Sequence, residues 1–284
     1  PNSFITSYPI KDAAKGILTY KNLNKNRKFI IFVGGFKSQI HKRTEEQVRQ
    51  AYATYPDSYL IIPDHSPYTN TEPGKKKGYE RAVTYVHYIG KALGQMLVQL
   101  VQRGISPKNI HCVGHSLGGQ MLAHVGETFS KITGQNISRI TALDPAGPCF
   151  TRSLINNQIR SGVADYVEVF HCNSGALGSS SILGDVDYIV NKKGESQPSC
   201  WTPYLPGLLD SSKAATCNHR VCIDVWTASV KNKNLFKALN CDSYKEFKKR
   251  QCAADETIAG AWGPATAKGI YYLSTADYDL NKIK

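Results

Sequence analysis

No apolar run in this 284-residue sequence approaches the roughly 18 to 20 residues that cross a membrane. The sequence starts at Pro1 without the charged and apolar regions of a signal peptide. Two expectations are open at this point: a mature form whose signal has been removed, or a cytosolic protein. Internal repeats and low-complexity linkers are also lacking, so we expect residues 1–284 to form a single α/β domain.

Cysteine is absent from the first 111 residues, and no pair among the eight that follow has CxxC spacing. This spacing makes a zinc ribbon or a thioredoxin-like motif a poor interpretation. Disulfide bonds formed in an oxidising compartment are the better one, and they favour the secreted, extracellular form.

Acidic residues are few: Lys and Arg total 35 against 22 Asp and Glu, a net charge of +13. A basic protein suits nucleic acid, an acidic polymer or an anionic lipid surface. The basic residues are scattered rather than arranged in an Arg-rich stripe with aromatics, so we do not expect nucleic-acid binding. A solvated basic surface without a specific role is the simpler alternative.

Hydrophobic periodicity predicts strands that alternate with helices, which is typical of a mostly parallel sheet covered by helices on both faces. We expect the last strand, residues 269–273, at an edge of the sheet. The predicted strands are residues 28–33, 59–62, 109–113, 137–143, 166–170, 186–190 and 269–273, and the predicted helices are 44–52, 79–103, 117–130 and 217–230.

One motif carries the chemistry: Gly114-x-Ser116-x-Gly118 follows a predicted strand and opens a predicted helix. This context is typical of a nucleophile elbow, in which a strained turn presents the serine hydroxyl and glycines leave room for the close helix. An ordinary glycine-rich loop is the alternative, and the strand, the helix and the run His115-Ser116-Leu117-Gly118-Gly119 together disfavour it. We therefore predict Ser116 as a catalytic nucleophile.

A serine hydroxyl needs a histidine to accept its proton and a carboxylate to orient that histidine. In α/β-hydrolases the chain order is Ser, acid, His. Asp144 ends the next predicted strand and is the candidate acid, although Asp-Pro also starts turns. Only His171 and His219 follow it, and spacing alone favours His219 mildly.

An oxyanion hole needs two backbone N–H groups. Leu117, directly after the nucleophile, should supply one. The loop Gly34-Gly35-Phe36 after the first strand should supply the other through Phe36, unless the two glycines only form a turn.

Three segments together resemble the pancreatic-lipase superfamily, whose members include insect lipases and venom phospholipase A1 allergens. The resemblance implies an α/β-hydrolase fold, with the superfamily's C-terminal β-sandwich absent, and it assigns the triad base to His219 rather than His171. The segments are Gly114-His115-Ser116-Leu117-Gly118-Gly119, residues 142–150 (ALDPAGPCF) and Cys217-Asn218-His219-Arg220.

The resemblance also implies a Cys200–Cys217 bridge that brackets a lid, and a Cys241–Cys252 bridge. Four cysteines keep no assigned partner: Cys112, Cys149, Cys172 and Cys222. Some relatives hold a structural calcium after the catalytic Asp, but the matching positions here lack carboxylates. We therefore expect no metal and no cofactor. Those positions carry Ile155, Gln158, Arg160 and Val163.

The 16 residues between Cys200 and Cys217 form a short lid, and the loop at residues 172–183 is also short. In this superfamily a short lid with a short second loop resembles phospholipase A1, because the open site admits a polar head group. The lid has apolar residues suited to lie on lipid. They are Trp201, Tyr204, Leu205, Leu208 and Leu209.

The sequence thus predicts a secreted, monomeric serine esterase that works at a lipid interface and cleaves the sn-1 ester of glycerophospholipids. One alternative is a neutral triacylglycerol or galactolipid lipase, which the lid length keeps open. Another is a non-catalytic lipid-binding or yolk-type relative, although such proteins have usually lost the triad serine.

Overall fold

In a computed structural model, nine strands form one sheet in the order β2-β1-β3-β4-β5-β6-β9-β7-β8. The structure describes residues 5–70, 78–151, 157–200, 211–276, 278 and 280. The strands are β1 (Lys28–Val33), β2 (Ser58–Ile61), β3 (Ile110–His115), β4 (Arg139–Leu143), β5 (Val167–His171), β6 (Val186–Val190), β7 (Phe236–Asn240), β8 (Glu256–Ala259) and β9 (Gly269–Leu273).

Seven helices accompany the sheet within the described ranges. They are α1 (Ile10–Leu18), α2 (Arg43–Tyr52), α3 (Ser66–Thr69), α4 (Gly78–Gln102), α5 (Leu117–Thr133), α6 (Ser211–Lys231) and α7 (Tyr244–Lys249). Strands β1 to β6 and β9 run parallel, whereas β7 is antiparallel to both β8 and β9. A mostly parallel sheet with helices on both faces is the α/β-hydrolase fold, and that prediction is confirmed.

The expectation for residues 269–273 was wrong, because β9 lies inside the sheet between β6 and β7. The edge at that end of the sheet is β8, which pairs antiparallel with β7 and is connected to it through α7. Neither β7 nor β8 was predicted from the sequence. Both strands are short and carry charged, exposed residues such as Lys237 and Glu256, so their hydrophobic pattern is weak.

Alternating side chains of β1 divide the core into two layers. Phe29, Ile31 and Val33 pack with α4 and α5 on one face, while Ile30 and Phe32 pack with α2 and α6 on the other. All five side chains are buried. A strand buried on both faces accounts for the continuous apolar run KFIIFV.

The parallel register aligns the carboxyl ends of β1, β3, β4 and β5. Val33 pairs with Gly114, His115 pairs with Leu143, and Leu143 pairs with Phe170. The residues that follow these strands therefore meet at one edge of the sheet, where α/β proteins bind ligands.

Candidate active site

Ser116 occupies a sharp turn between β3 and α5, with φ 56° and ψ −121°. A non-glycine residue rarely adopts this conformation, and such strain concentrates at functional sites. Backbone hydrogen bonds hold the turn: Ser116 N–H donates to Leu143 O (3.0 Å), and Ala146 N–H donates to Ser116 O (3.1 Å). The serine is thereby fixed at the edge where the neighbouring strands end.

The turn can be this tight because α5 passes very close to β1. A Cβ atom added to Gly118 would overlap with the carbonyl oxygen of Val33. Any side chain at this position would push the helix away from the strand, which explains the glycine two residues after the serine.

Asp144 follows β4 directly, has φ 44° and is fully buried. Its Oδ2 atom lies 2.5 Å from Nδ1 of His219. Its Oδ1 atom accepts hydrogen bonds from the backbone N–H groups of Cys172 (2.8 Å) and Asn173 (3.0 Å). Both carboxylate oxygens are therefore occupied, and the carboxylate can hold the imidazole ring in one orientation.

His219 lies on α6, and its Nδ1 atom faces Asp144. The ring of His115, the residue before Ser116, lies 4.6 Å from the ring of His219. His115 Nε2 lies 3.0 Å from His219 O, so a neutral His115 can donate to that carbonyl. Burial, followed by the neighbouring His219, lowers the pKa of His115 to about 3. No positive charge on His115 therefore opposes an imidazolium on His219.

His171, the other histidine that follows Asp144, has other hydrogen-bond partners. Its Nε2 atom lies 2.7 Å from Oδ1 of Asp187, and its Nδ1 atom lies 3.1 Å from Ser179 O. Burial is the largest single influence and lowers its pKa, but the hydrogen bond and charge of Asp187, the charge of Asp144 and the Ser179 carbonyl together raise that pKa above its ordinary value. The structure thus pairs His219, and not His171, with Asp144.

The loop that carries Phe36 lies directly beside Ser116. An ideal Cβ on Gly35 would stand 3.0 Å from Ser116 Cβ and 3.4 Å from its Oγ. Leu117 is the first residue of α5, so its N–H has no carbonyl within the helix to bond. Leu117 is therefore next to the serine in the chain, and the loop that carries Phe36 is next to it in space.

A family model described as Lipase matches residues 8–263. The chain belongs to the Lipase family. The resemblance to pancreatic lipases is thereby confirmed.

Several named relatives within the Lipase family can be aligned with this chain. Phospholipase A1 member A of Bos taurus is 32% identical over 179 residues, which cover 63% of this chain and 37% of the relative. Lipase member H of Mus musculus is 30% identical over 200 residues, 70% of this chain and 42% of the relative. Lipase member H of Oryctolagus cuniculus is 28% identical over 271 residues, which cover 93% of this chain and 57% of the relative. The chain spans less than two thirds of each of these relatives.

Two solved esterases overlap with less than half of this Lipase-family chain. EstE1, a thermophilic carboxylesterase cloned from a metagenomic library, has 16% identity and a TM-score of 0.30, and the overlap covers 45% of this chain and 42% of that one. Est1E from Butyrivibrio proteoclasticus has 18% identity and a TM-score of 0.30, with 44% and 45% covered.

Three disulfide bonds are present in this Lipase-family chain. Cys200–Cys217 and Cys241–Cys252 are the pairs that the resemblance implied. The third, Cys172–Cys222, joins the end of β5 to α6 and was not predicted, because nothing in the cysteine spacing distinguishes this pair. Cys112 and Cys149 are free thiols, the first buried and the second exposed.

The predicted lid and the second loop differ in whether the structure describes them. Trp201, Tyr204, Leu205, Leu208 and Leu209 all lie outside the described residues. The second loop, residues 172–183, is described and is pinned to the segment after Asp144. Gly147 N–H donates to Leu177 O (2.8 Å), and Ser179 N–H donates to Pro145 O (2.8 Å). This loop folds back on the sheet edge instead of extending away from it.

Two features are absent from the described ranges of the chain. In those ranges, no three His, Cys, Asp or Glu side chains are grouped so that they could hold a metal ion. Over the same ranges, no helix is both long and apolar enough to cross a membrane. The expectation of no metal and no cofactor stays a prediction.

The sequence analysis missed two groups at the site. The N–H groups of Cys172 and Asn173 bind Asp144, and His115 contacts His219. Every residue but proline carries a backbone donor, so sequence offers no signal for the first group. For His115, its place beside the nucleophile was the available signal.

Proposed function

We propose that this chain is a serine esterase that hydrolyses lipid esters, with the sn-1 acyl ester of glycerophospholipids as its substrate. The observation that carries the proposal is the Asp144–His219 hydrogen bond (2.5 Å) beside the strained turn of Ser116. Acid, base and nucleophile stand in the order and setting of an α/β-hydrolase triad.

In the proposed mechanism, His219 uses Nε2, the ring nitrogen that does not face Asp144, to take the proton of Ser116. The Ser116 oxygen then attacks the ester carbonyl, and the N–H groups of Phe36 and Leu117 stabilise the oxyanion. His219 returns the proton to the leaving alcohol and next activates the water that cleaves the acyl-enzyme. Buried Asp144, fixed by two amides, keeps Nδ1 protonated and stabilises the imidazolium.

Two findings support a phospholipid substrate. The second loop is short and hydrogen-bonded to residues 145–147, and a short loop in this position favours a substrate with a polar head group. Among the aligned proteins that carry a name of this kind are phospholipase A1 member A of Bos taurus and of Homo sapiens, at 32% and 33% identity. Other relatives carry the name lipase, and this keeps triacylglycerol as the second candidate.

We also propose that the protein works outside the cytosol, as a monomer at a lipid surface. Three disulfide bonds support the extracellular location, because reducing compartments disfavour such bonds. The basic surface suits anionic membranes.

The decisive experiment measures fatty-acid release from phosphatidylcholine labelled at sn-1 or at sn-2, beside a triolein emulsion. We expect selective sn-1 release. Ser116→Ala should lower the rate by about 10⁴-fold or more, and Asp144→Asn by a similar factor, because the triad acts as a unit. Release from triolein alone would refute the phospholipid assignment and keep the triad.

A fluorophosphonate probe separates the enzyme from a binding protein. Labelling of the wild type but not of Ser116→Ala would support the nucleophile. An unlabelled wild type, together with no activity on either lipid, would instead favour the non-catalytic, yolk-type alternative.

A further inference from the structure

The loop with the predicted oxyanion donor Phe36 is anchored on both sides of that residue by the short helix α3 and its cap. His65 Nε2 lies 3.1 Å from Gly34 O, and Lys37 N–H donates to Thr69 O (3.4 Å). The residues at both ends of α3 thus hold the backbone before and after Phe36. His65 and Thr69 are themselves buried, with 4% and 0% exposure.

His65 must act as a neutral donor in this arrangement. Gly34 O can only accept, so Nε2 carries the proton; in a neutral ring Nδ1 is then an acceptor, and the Thr69 hydroxyl can donate to it at 2.7 Å instead of to His65 O at 3.2 Å. Burial lowers the pKa of His65, which favours the neutral ring. Thr69 therefore selects the tautomer that can bind the loop.

A second contact holds the opposite side of the same loop. Glu45 of α2 and Ser38 are hydrogen-bonded to each other, and both border Gly34. A Cβ on Gly34 would come within 2.5 Å of Glu45 Oε1 and would overlap with Ser38 Oγ. Gly34 is thus enclosed between the Glu45–Ser38 pair and His65.

Such anchors matter because Gly34 and Gly35 lack Cβ atoms and give the backbone wide conformational freedom. An oxyanion donor works only when its N–H is already aimed at the developing charge, within tenths of an ångström. The Gly-Gly segment cannot supply that rigidity by itself. The hydrogen bond from His65 to the carbonyl two residues before Phe36 can supply it.

We propose that His65, oriented by Thr69, is a positioning residue that fixes the Phe36 N–H for catalysis by Ser116. This inference rests on the proposed esterase function. His65 does not touch the substrate, so it acts on the transition state through Gly34 and not on substrate binding.

The test measures kcat and KM for a soluble short-chain p-nitrophenyl ester with the full chain. His65→Phe removes the donor and keeps a ring, and it should lower kcat about 10- to 100-fold with KM changed less than about twofold. His65→Gln keeps an amide donor and should restore kcat to within about fivefold of wild type. His87→Phe, an exposed histidine on α4, is the matched control and should leave both constants unchanged.

Thr69→Val keeps the shape but removes the hydroxyl, and it should lower kcat about fivefold or more. This variant keeps the test decisive if His65→Phe does not fold, as judged by thermal unfolding. Phosphonylation by a fluorophosphonate also places an oxygen in the hole, so its rate should fall in parallel with kcat.

Two outcomes would overturn the proposal. The first is a folded His65→Phe, or a folded Thr69→Val, with wild-type kcat. The second is His65→Gln as impaired as His65→Phe, which would indicate a packing role. Ser116→Ala separates a failure of this inference from a failure of the proposed esterase function. Activity retained in that variant would refute the esterase mechanism itself and this inference with it.

Discussion

The buried carboxyl group of Glu45 differs from Asp144 in having no backbone donors on its second oxygen. In the described structure, Glu45 Oε2 is buried without a hydrogen-bond partner. Burial raises the pKa of Glu45 from 4.5 to about 7, against the opposing effects of a hydrogen bond with the Glu45 backbone and of the charge of Arg220. The folded protein thus binds a proton at Glu45 that the unfolded chain releases at lower pH.

This difference makes the free energy of unfolding fall as pH rises from about 4.5 to about 7. Glu45→Gln removes the titration, so the variant should gain stability relative to wild type, on the order of 2 kcal/mol, at pH 8 and little at pH 4.5. Urea unfolding of the variant and the wild type at both pH values measures this difference in the free energy of unfolding. Glu46→Gln, next to it on α2, is the control. A gain in stability of Glu45→Gln that is equal at pH 4.5 and at pH 8 would contradict the prediction.

Residues identified by local context were predictable from the sequence. Ser116 has a strand and a helix around it, and Asp144 ends the next strand, so their positions at one sheet edge follow from the topology. The choice of His219 over His171 did not follow from spacing, because both lie after Asp144. That choice depends on how α6 packs, which only the resemblance or the structure supplies. His65 had no local signal at all.

At the level of elements, the central strands were predicted to within about two residues, because they are buried on both faces and read as apolar runs. Helix α6 begins at Ser211, six residues before the predicted start, since its first turn is mostly exposed and lacks an apolar face. The antiparallel pair β7–β8 at the edge and the position of β9 inside the sheet depend on pairing between segments that are distant in the sequence. Local patterns do not encode that pairing.

The contact between α4 and α5 gives a prediction at the same level. Gly94 of α4 lies so close to α5 that an added Cβ would stand 2.9 Å from Val125 O and 2.8 Å from Thr128 Cβ. Gly94→Ala should therefore destabilise the protein by about 1 to 2 kcal/mol, although alanine favours helix formation by about 1 kcal/mol.

Denaturant unfolding of Gly94→Ala beside Gln95→Ala measures the effect. Gln95 is the exposed neighbour on the same helix, so its substitution should change stability by less than about 0.5 kcal/mol. A stabilised Gly94→Ala would mean that the helices can separate at no cost, contrary to the close approach seen here.

For the molecule as a whole, the Cys172–Cys222 bridge connects the two halves of the site. The N–H of Cys172 binds Asp144, and Cys222 lies one turn after His219 on α6. The bridge closes a span of 50 residues, whereas Cys241–Cys252 closes only 11. Removing the first should cost about 4 kcal/mol and removing the second about 3 kcal/mol in the chain-entropy description.

Removing the two bridges should affect esterase activity far more unequally than it affects the free energy of unfolding. Cys172→Ala with Cys222→Ala should lower esterase kcat strongly at a temperature where the protein stays folded, because acid and base lose their shared support. Cys241→Ala with Cys252→Ala is the control and should retain kcat. Equal kcat in the two double variants would show that the packing of α6 alone positions His219.

The net charge of +13 also acts at the scale of the whole molecule. Each well-placed basic residue contributes about 1 kcal/mol of attraction to an anionic lipid surface, and salt screens that attraction over about 10 Å at 0.1 M. The Ser116→Ala chain, which should not hydrolyse the lipid, should therefore cosediment with phosphatidylserine-containing vesicles more than with phosphatidylcholine vesicles. The excess should shrink as NaCl rises from about 0.05 to 0.5 M. Equal, salt-independent binding to both vesicles would mean that apolar contacts, and not the basic surface, hold the protein on lipid.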